Sequence, residues 1–270
     1  MLYSNAMNNQ FGAILEQRRL LWSLVALDMR KRYGASFIGF FWSVLNPLLQ
    51  ILIYTIVFGY ILEVNVGGNA GTANYGIFLF AGMLPWIAFS EAVQKSSTSI
   101  LENKNLVKQV KFPTALLPVH VLLSSFLHEL IALAIFIVIL FVLGQPPSWL
   151  ALGLVFIIPL QFVLTLGFGL IVSSLHVFYK DVGQFIAAVL TLWFFATPII
   201  YPITLVQPWL SRVLYFNPMT PLIGAYRSAL LSNEVPELWA FAYLGLFSFL
   251  VFLIGVALFR RLSRDFADLL

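Results

Sequence analysis

The sequence predicts an all-α integral membrane protein: six transmembrane helices, an amphipathic interfacial helix ahead of them, and a re-entrant helical hairpin between the fifth and sixth spans. Three observations predict it. Hydrophobic residues fill 61% of the 270 positions and charged residues only 10%, against about a quarter in a soluble domain. No single water-soluble core hides that much apolar surface, so lipid must be the solvent for most of the chain. Several uncharged stretches reach the roughly 20 residues that a helix needs to cross about 30 Å of hydrocarbon. The cations cluster between these stretches, as they do on the inner face of a membrane. That clustering explains the pI of about 9.4 without a nucleic-acid partner, and none is expected.

The first 36 residues form a polar arm. Ile14, Leu15, Leu21, Trp22 and Val25 fall on one helical face, with Glu16, Arg19, Ser23 and Arg30 elsewhere, so Gly12–Leu27 reads as a helix lying along the inner leaflet. The first span is Phe37–Leu62, interrupted by Asn46-Pro47, which removes a helical hydrogen bond and bends it. Tyr75–Ser99 is the second span and Thr114–Leu143 the third. Gly144-Gln145-Pro146-Pro147-Ser148 is a turn, and divides the third span from a fourth at Trp149–Leu175. Val182–Tyr201 is the fifth and Leu238–Phe259 the sixth.

The segment Pro202–Glu237 is apolar but broken by Pro208, Arg212, Pro218, Pro221 and Arg227. A seventh span there would send Arg260, Arg261 and Arg264 outside. With six spans, 13 of the 15 cations lie on one side and only Arg212 and Arg227 on the other, which satisfies the positive-inside rule and places both termini in the cytoplasm. Residues 37–259 are then the membrane domain and 260–270 a cytoplasmic tail. Pro202–Glu237 reads as a helix–turn–helix dipping into the outer leaflet, or as a folded outer loop. Irregular backbone at membrane depth needs protein or a water-filled cavity to satisfy it. No internal repeat is present, so a pathway is expected between two copies of the chain around a two-fold axis.

Catalytic chemistry is nearly absent. His120, His128 and His176 match no metal-ligand spacing, and no carboxylate pair stands out. The absence of cysteine excludes disulfides and thiolate metal sites. Glu129 lies inside the third span, where a charge costs about 2.5–3.5 kcal/mol on insertion scales, so it should face protein or water. One such residue is thin support for a proton relay. No P-loop exists, since Gly34 and Gly39 are followed by Phe40 rather than Lys. If ATP drives this protein, another polypeptide binds it. In Ser96–Pro113, the residues Ile100, Leu101, Lys104, Val107 and Lys108 fall at helical spacing. Such a short cationic helix suits either anionic headgroups or a groove on a partner.

Four stretches, in order, resemble the ABC-2 type polysaccharide-export permeases: "LDMRKRYGASFIGFFWSVLNPLLQILIYTIVFG" from Leu27, "FLFAGMLPWIAFSEAVQKSSTSILENKNLVKQVKFPTALLPV" from Phe78, "YKDVGQF" from Tyr179, and "TPIIYPI…FNPMTPLIGAYRSALL" from Thr197. The resemblance covers nearly all of the chain beyond Leu27. It implies a homodimer in the bacterial inner membrane, each copy docked on a cytoplasmic ATPase subunit that holds ATP and magnesium, with no cofactor and no enzymatic activity in this chain. It assigns the internal loop, with Ile100, Leu101, Glu102, Asn103, Lys104, Val107 and Lys108, as the ATPase-coupling element. Pro202–Leu231 becomes a pair of re-entrant helices at the outer mouth, with Pro208, Asn217, Pro218 and Pro221 as gate residues.

The implied cargo is a polysaccharide on an undecaprenyl diphosphate carrier. Because sugar C–H faces stack on aromatic rings, Trp42, Tyr54 and Phe58 of the first span and Trp193, Phe194 and Tyr201 of the fifth are the candidate lining. Arg30, Lys31 and Arg32 are candidates to meet the diphosphate, or form an ordinary positive-inside cluster. O-antigen is preferred over capsule or teichoic acid because the short outer loops leave no large extracellular domain. Small-drug export on the same architecture and proton-coupled transport are the rival functions.

Overall fold

The computed structural model describes residues 17–33, 45, 48–64, 66, 74–108, 112–232 and 238–270. Ile14, Leu15, Glu16, Trp42 and the Asn46-Pro47 bend lie outside the described residues. Every regular element among those described is helical. In chain order they are α1 (Arg18–Tyr33), α2 (Leu48–Ile61), α3 (Tyr75–Glu102), α4 (Leu116–Val142), α5 (Leu154–Phe178), α6 (Val182–Phe195), α7 (Pro208–Tyr215), α8 (Met219–Arg227), α9 (Leu238–Leu262) and α10 (Phe266–Leu269). A 3-10 turn at Trp149–Gly153 leads into α5. Four helices are long and apolar enough to cross a membrane: α3, α4, the continuous Trp149–Phe178 and α9. The helices in the expected first and fifth spans, α2 and α6, are shorter.

Helix α3 is the axis of the fold. Asn74 caps its start, accepting hydrogen bonds from the amides of Gly76 and Ile77 on its side-chain oxygen. Its Ile77, Phe78, Leu79, Met83, Leu84, Trp86, Phe89 and Val93 are buried in one core with Phe136 of α4, Leu164 of α5, Phe194 of α6, Ile223 of α8 and Leu244 of α9. It also runs further than its sequence predicts. Ile100–Glu102, beyond the expected end of the second span at Ser99, continues α3, because Ser96, Ser97, Ser99 and Ile100 are buried and hold the helix in register. Only Lys104–Val107 forms a separate helical turn.

Helices α5 and α9 touch backbone to backbone. A Cβ at Gly255 would lie 2.5 Å from the Gly167 carbonyl oxygen, and one at Gly167 would lie 2.7 Å from the backbone of Val251 and Phe252. In lipid, where apolar side chains gain nothing by leaving one another's company for the tails, such close approach through small residues is a principal source of helix association.

The expected fifth span, Val182–Tyr201, stops being helical at Phe195. Pro198 explains the stop: it lacks an N–H, and its ring disfavours helical backbone at Thr197. The carbonyls so released are each given a side-chain donor. Asn217 Nδ2 donates to Ala196 O at 3.2 Å, Arg227 Nη1 to Pro198 O at 2.7 Å, Arg227 Nη2 to Ile199 O at 2.6 Å, and the Tyr75 hydroxyl to Ile200 O at 2.6 Å. Arg227 also donates from Nε to Phe78 O at 3.3 Å, and its guanidinium lies 3.6 Å from the centroid of the Phe78 ring. Gly82 leaves the room, since a Cβ there would sit 2.6 Å from Arg227 Nη2. Arg227, counted in the sequence as an outer-side cation, is thus a structural clamp joining α8, α3 and the end of α6.

Helix α1 packs Leu21 on Leu116 and Val119 of α4 and buries Val25, while Trp22 is 54% exposed. The sequence places these three on one face; the structure turns Trp22 outward, where an indole suits a headgroup region.

Two substitutions test this packing. Gly255→Ala must push α9 off α5, at a cost of about 1–3 kcal/mol, and lowers the thermal unfolding midpoint of the solubilised chain. Gly153→Ala, which meets nothing within 4 Å, leaves it unchanged. Arg227→Ala strands carbonyls that had donors, at about 1–3 kcal/mol each, and lowers the midpoint further; Arg227→Lys recovers only part, because an ammonium cannot fork between two carbonyls as a guanidinium does.

Candidate functional site: a polar groove on an aromatic wall

Helices α2, α3 and α6 enclose a groove of about 400 Å³. One stripe of α3 forms its floor: Met83, Trp86, Ile87, Ser90 and Gln94 recur every three or four residues, about 16 Å along the helix. Gln50 of α2 and Ala187 and Leu190 of α6 form the sides. The surface has a serine, two amides and the Glu91 carboxylate, an unusual set for a face between apolar helices. Gln94 Nε2 donates to Gly183 O at 3.2 Å, tying the groove's lower end to the start of α6.

Behind the groove stands a continuous aromatic wall. Tyr54 stacks on Phe194 at 5.8 Å between centroids and meets Phe58 edge-on at 6.1 Å. Phe194 adjoins Trp86 at 5.7 Å; Trp193 packs edge-to-face on Phe89 at 5.3 Å and on Phe168 at 5.5 Å. Such pairs are each worth about 0.5–1.5 kcal/mol beyond burial. The structure therefore brings Tyr54, Phe58, Trp193 and Phe194 together, but into the wall; none of them borders the groove, and Phe194 is buried. Tyr201 stands apart, its hydroxyl donating to Phe195 O at 3.2 Å. The aromatic that does border the groove is Trp86, which the sequence left unremarked among 26 Phe, 10 Tyr and 7 Trp. Its i, i+4, i+8 relation to Ser90 and Gln94 was the available signal.

At the end of the groove, Glu91 holds two cations. Arg32 of α1 makes an ion pair with Glu91 Oε1, and Lys95 Nζ lies 2.8 Å from the same oxygen. Arg30, Lys31 and Arg32 do not act as one patch. Arg30 is exposed, Lys31 borders a separate pocket of about 210 Å³ with Asp28, Glu102 and His120, and Arg32 is engaged by Glu91. The groove's cationic end comprises Arg32 and Lys95.

At the opposite end, Asn217 organises the turn between α7 and α8. Its side-chain oxygen accepts from Trp193 Nε1 at 2.8 Å and from the Met219 amide at 3.0 Å, and its Nδ2 donates to Thr197 Oγ1 at 2.8 Å. Pro208 starts α7, while Pro218 and Pro221 are buried at the start of α8. Among the loop residues, Ile100 and Val107 are buried in a cluster with Leu117, Phe259 and Phe266. Glu102, Lys104 and Lys108 are exposed, with Leu101 and Asn103 between. This surface is available to a partner, on a base fixed to the bundle.

Sequence comparison agrees with this architecture. The family model described as "ABC-2 type transporter" matches residues 19–231. The chain is 30% identical to the O-antigen export system permease protein RfbA of Myxococcus xanthus, over 94% of this chain and 96% of that protein. It is 31% identical to an RfbA of Klebsiella pneumoniae, over 90% and 92% respectively. Similarity to the polysialic acid transport protein KpsM of Escherichia coli is lower, 24% over 88% of this chain and 91% of that one. Helices that suit a bilayer, a polar groove between them and a match spanning most of the chain lead to one conclusion: this protein belongs to the ABC-2 type transporter family.

Proposed function

We propose that this chain is the membrane-spanning permease subunit of an ATP-driven exporter that carries a lipid-linked polysaccharide, foremost O-antigen, across the bacterial inner membrane. The observation that carries the reading is the groove of α2, α3 and α6: amide, hydroxyl and carboxylate groups on an aromatic wall, where a purely structural face would be apolar. A glycan offers the matching surface of hydroxyls and C–H faces. The names of the relatives support the polysaccharide, and the higher identity to two O-antigen permeases than to KpsM supports O-antigen.

In this reading residues 37–259 make six spans, with α2 and α6 completing the first and fifth, α1 lies on the inner leaflet, and α7–α8 form the re-entrant pair of the outer mouth. Both termini are cytoplasmic, the arm of residues 1–36 and the tail of residues 260–270 flanking the membrane domain. Two copies face each other across the groove. Each rides on an ATPase subunit, which binds ATP and magnesium, through Glu102, Lys104, Lys108 and their neighbours. Arg32 and Lys95 lie where a carrier diphosphate would arrive. Trp42 joins the described aromatics as a lining candidate.

Two measurements test the function. Deletion of the gene removes surface polysaccharide and leaves drug tolerance unchanged; export that persists without ATP and collapses with a protonophore sinks the proposal. In the complemented deletion strain, Ser90→Trp fills the groove and abolishes most export at normal membrane abundance, whereas Val142→Trp, on an exposed surface of α4, does not.

A further inference from the structure

Glu129 of α4, Gln161 of α5 and Tyr226 of α8 meet in the middle of the bundle, and the number of protons among them is constrained. Glu129 is only 2% exposed, and Gln161 and Tyr226 are fully buried. The tyrosine oxygen lies 2.7 Å from Glu129 Oε1 and 2.6 Å from Gln161 Oε1. Both neighbours are acceptors, and a phenol has one proton to give. Two contacts this short cannot share one proton, so one of the partners must supply another.

Gln161 does not supply it. Its Nε2 lies 3.2 Å from the Pro85 carbonyl oxygen of α3, and 3.2 and 3.0 Å from the two Glu129 oxygens. Exchanging the amide's oxygen and nitrogen would set the oxygen against all three acceptors. The remaining donor is Glu129 itself. With a proton on Oε1, every bond closes: Glu129 donates to Tyr226, Tyr226 to Gln161 Oε1, and Gln161 to Glu129 Oε2 and Pro85 O. No donor is left over, and no ion is buried.

We propose that Glu129 is held as a neutral carboxylic acid whose proton completes a hydrogen-bonded ring locking the return helix α8 onto α3, α4 and α5. Each member comes from a different helix, with α3 joining through Pro85. The ion pairs formed by Arg32 and Lys95 both belong to Glu91, and neither involves Glu129. His128, the neighbour on α4, shares with Glu129 a cavity of about 40 Å³ whose α3 side is Phe80, Met83, Leu84, Ile87 and Ala88. On α8, Arg227 is already committed to the carbonyls of Phe78, Pro198 and Ile199. The ring and the Arg227 clamp are consecutive residues of one short helix, so α8 is fastened on two sides. Glu129 is on this account a positioning residue. Its effect on export rests on the reading of α7–α8 as the outer mouth, while its protonation does not.

Infrared spectroscopy of the full-length chain in lipid reads the proton directly. A protonated-carboxyl stretch is expected, absent from E129Q and shifted in Tyr226→Phe, which removes its acceptor. No such band, or one that survives E129Q, overturns the neutral acid; a band unmoved by Tyr226→Phe overturns the link to α8. Because a glutamine amide can donate to Tyr226 in the acid's place, E129Q is expected to keep export and thermal stability near wild type, and loss of both also overturns the proposal. Tyr226→Phe frees α8 and is expected to impair export. If the band shifts but Tyr226→Phe exports normally, the neutral acid stands and the gate reading of α8 falls.

Discussion

A bilayer offers no water to an unpaired backbone group, and this constraint shapes the region where α6 ends. Once Pro198 ends α6, the carbonyls of residues 196 and 198–200 have lost their helical partners. Asn217, Arg227 and Tyr75 supply donors to every one of them. Those donors come from the α7–α8 turn, the end of α8 and the start of α3, so satisfying the break also fixes where the α7–α8 hairpin sits. The hairpin's position is a consequence of hydrogen-bond accounting as much as of apolar packing.

Polar groups inside the bundle follow the same logic with different outcomes. Arg227 keeps its charge by spreading it over three carbonyls and an aromatic face. Glu91 keeps its own by pairing with Arg32 and Lys95 at the groove's end. Glu129 is instead held by Gln161 and Tyr226, and those hydrogen bonds close only if it is neutral. The groove lies between these arrangements, with the Arg227 clamp at one end of α3 and the Glu91 pairs more than 13 Å further along the helix. Its amides and serine can be wetted, while the aromatic wall behind them gives it a rigid backing.

How much of this was legible depended on the range of the physics involved. Uncharged runs, turn residues and cation placement are local, and α3, α4, α5 and α9 appear where the sequence puts them. Element ends were less legible: α3 runs past Ser99 to Glu102 because burial of Ile100 holds its last turn, and α6 stops short because of Pro198. At the site, Glu129 could be singled out as expensive, since one charge in an apolar run is visible in one line of text. Its partners could not. Gln161 and Tyr226 lie 32 and 97 residues away and are ordinary as residues. The aromatic candidates were the right type, but which ring borders the groove and which stands behind it depends on helix rotation.

The sequence by itself determined that this chain lives in lipid and where its four long apolar helices run, because composition and periodicity state those things directly. Only the tertiary structure decided that Arg227 is a clamp, that Arg32 belongs to Glu91, and that the stripe of Trp86, Ser90 and Gln94 faces a groove. Those roles are set by which side chains meet across helices, and no pattern along one strand of text encodes a meeting between residues so far apart in the chain.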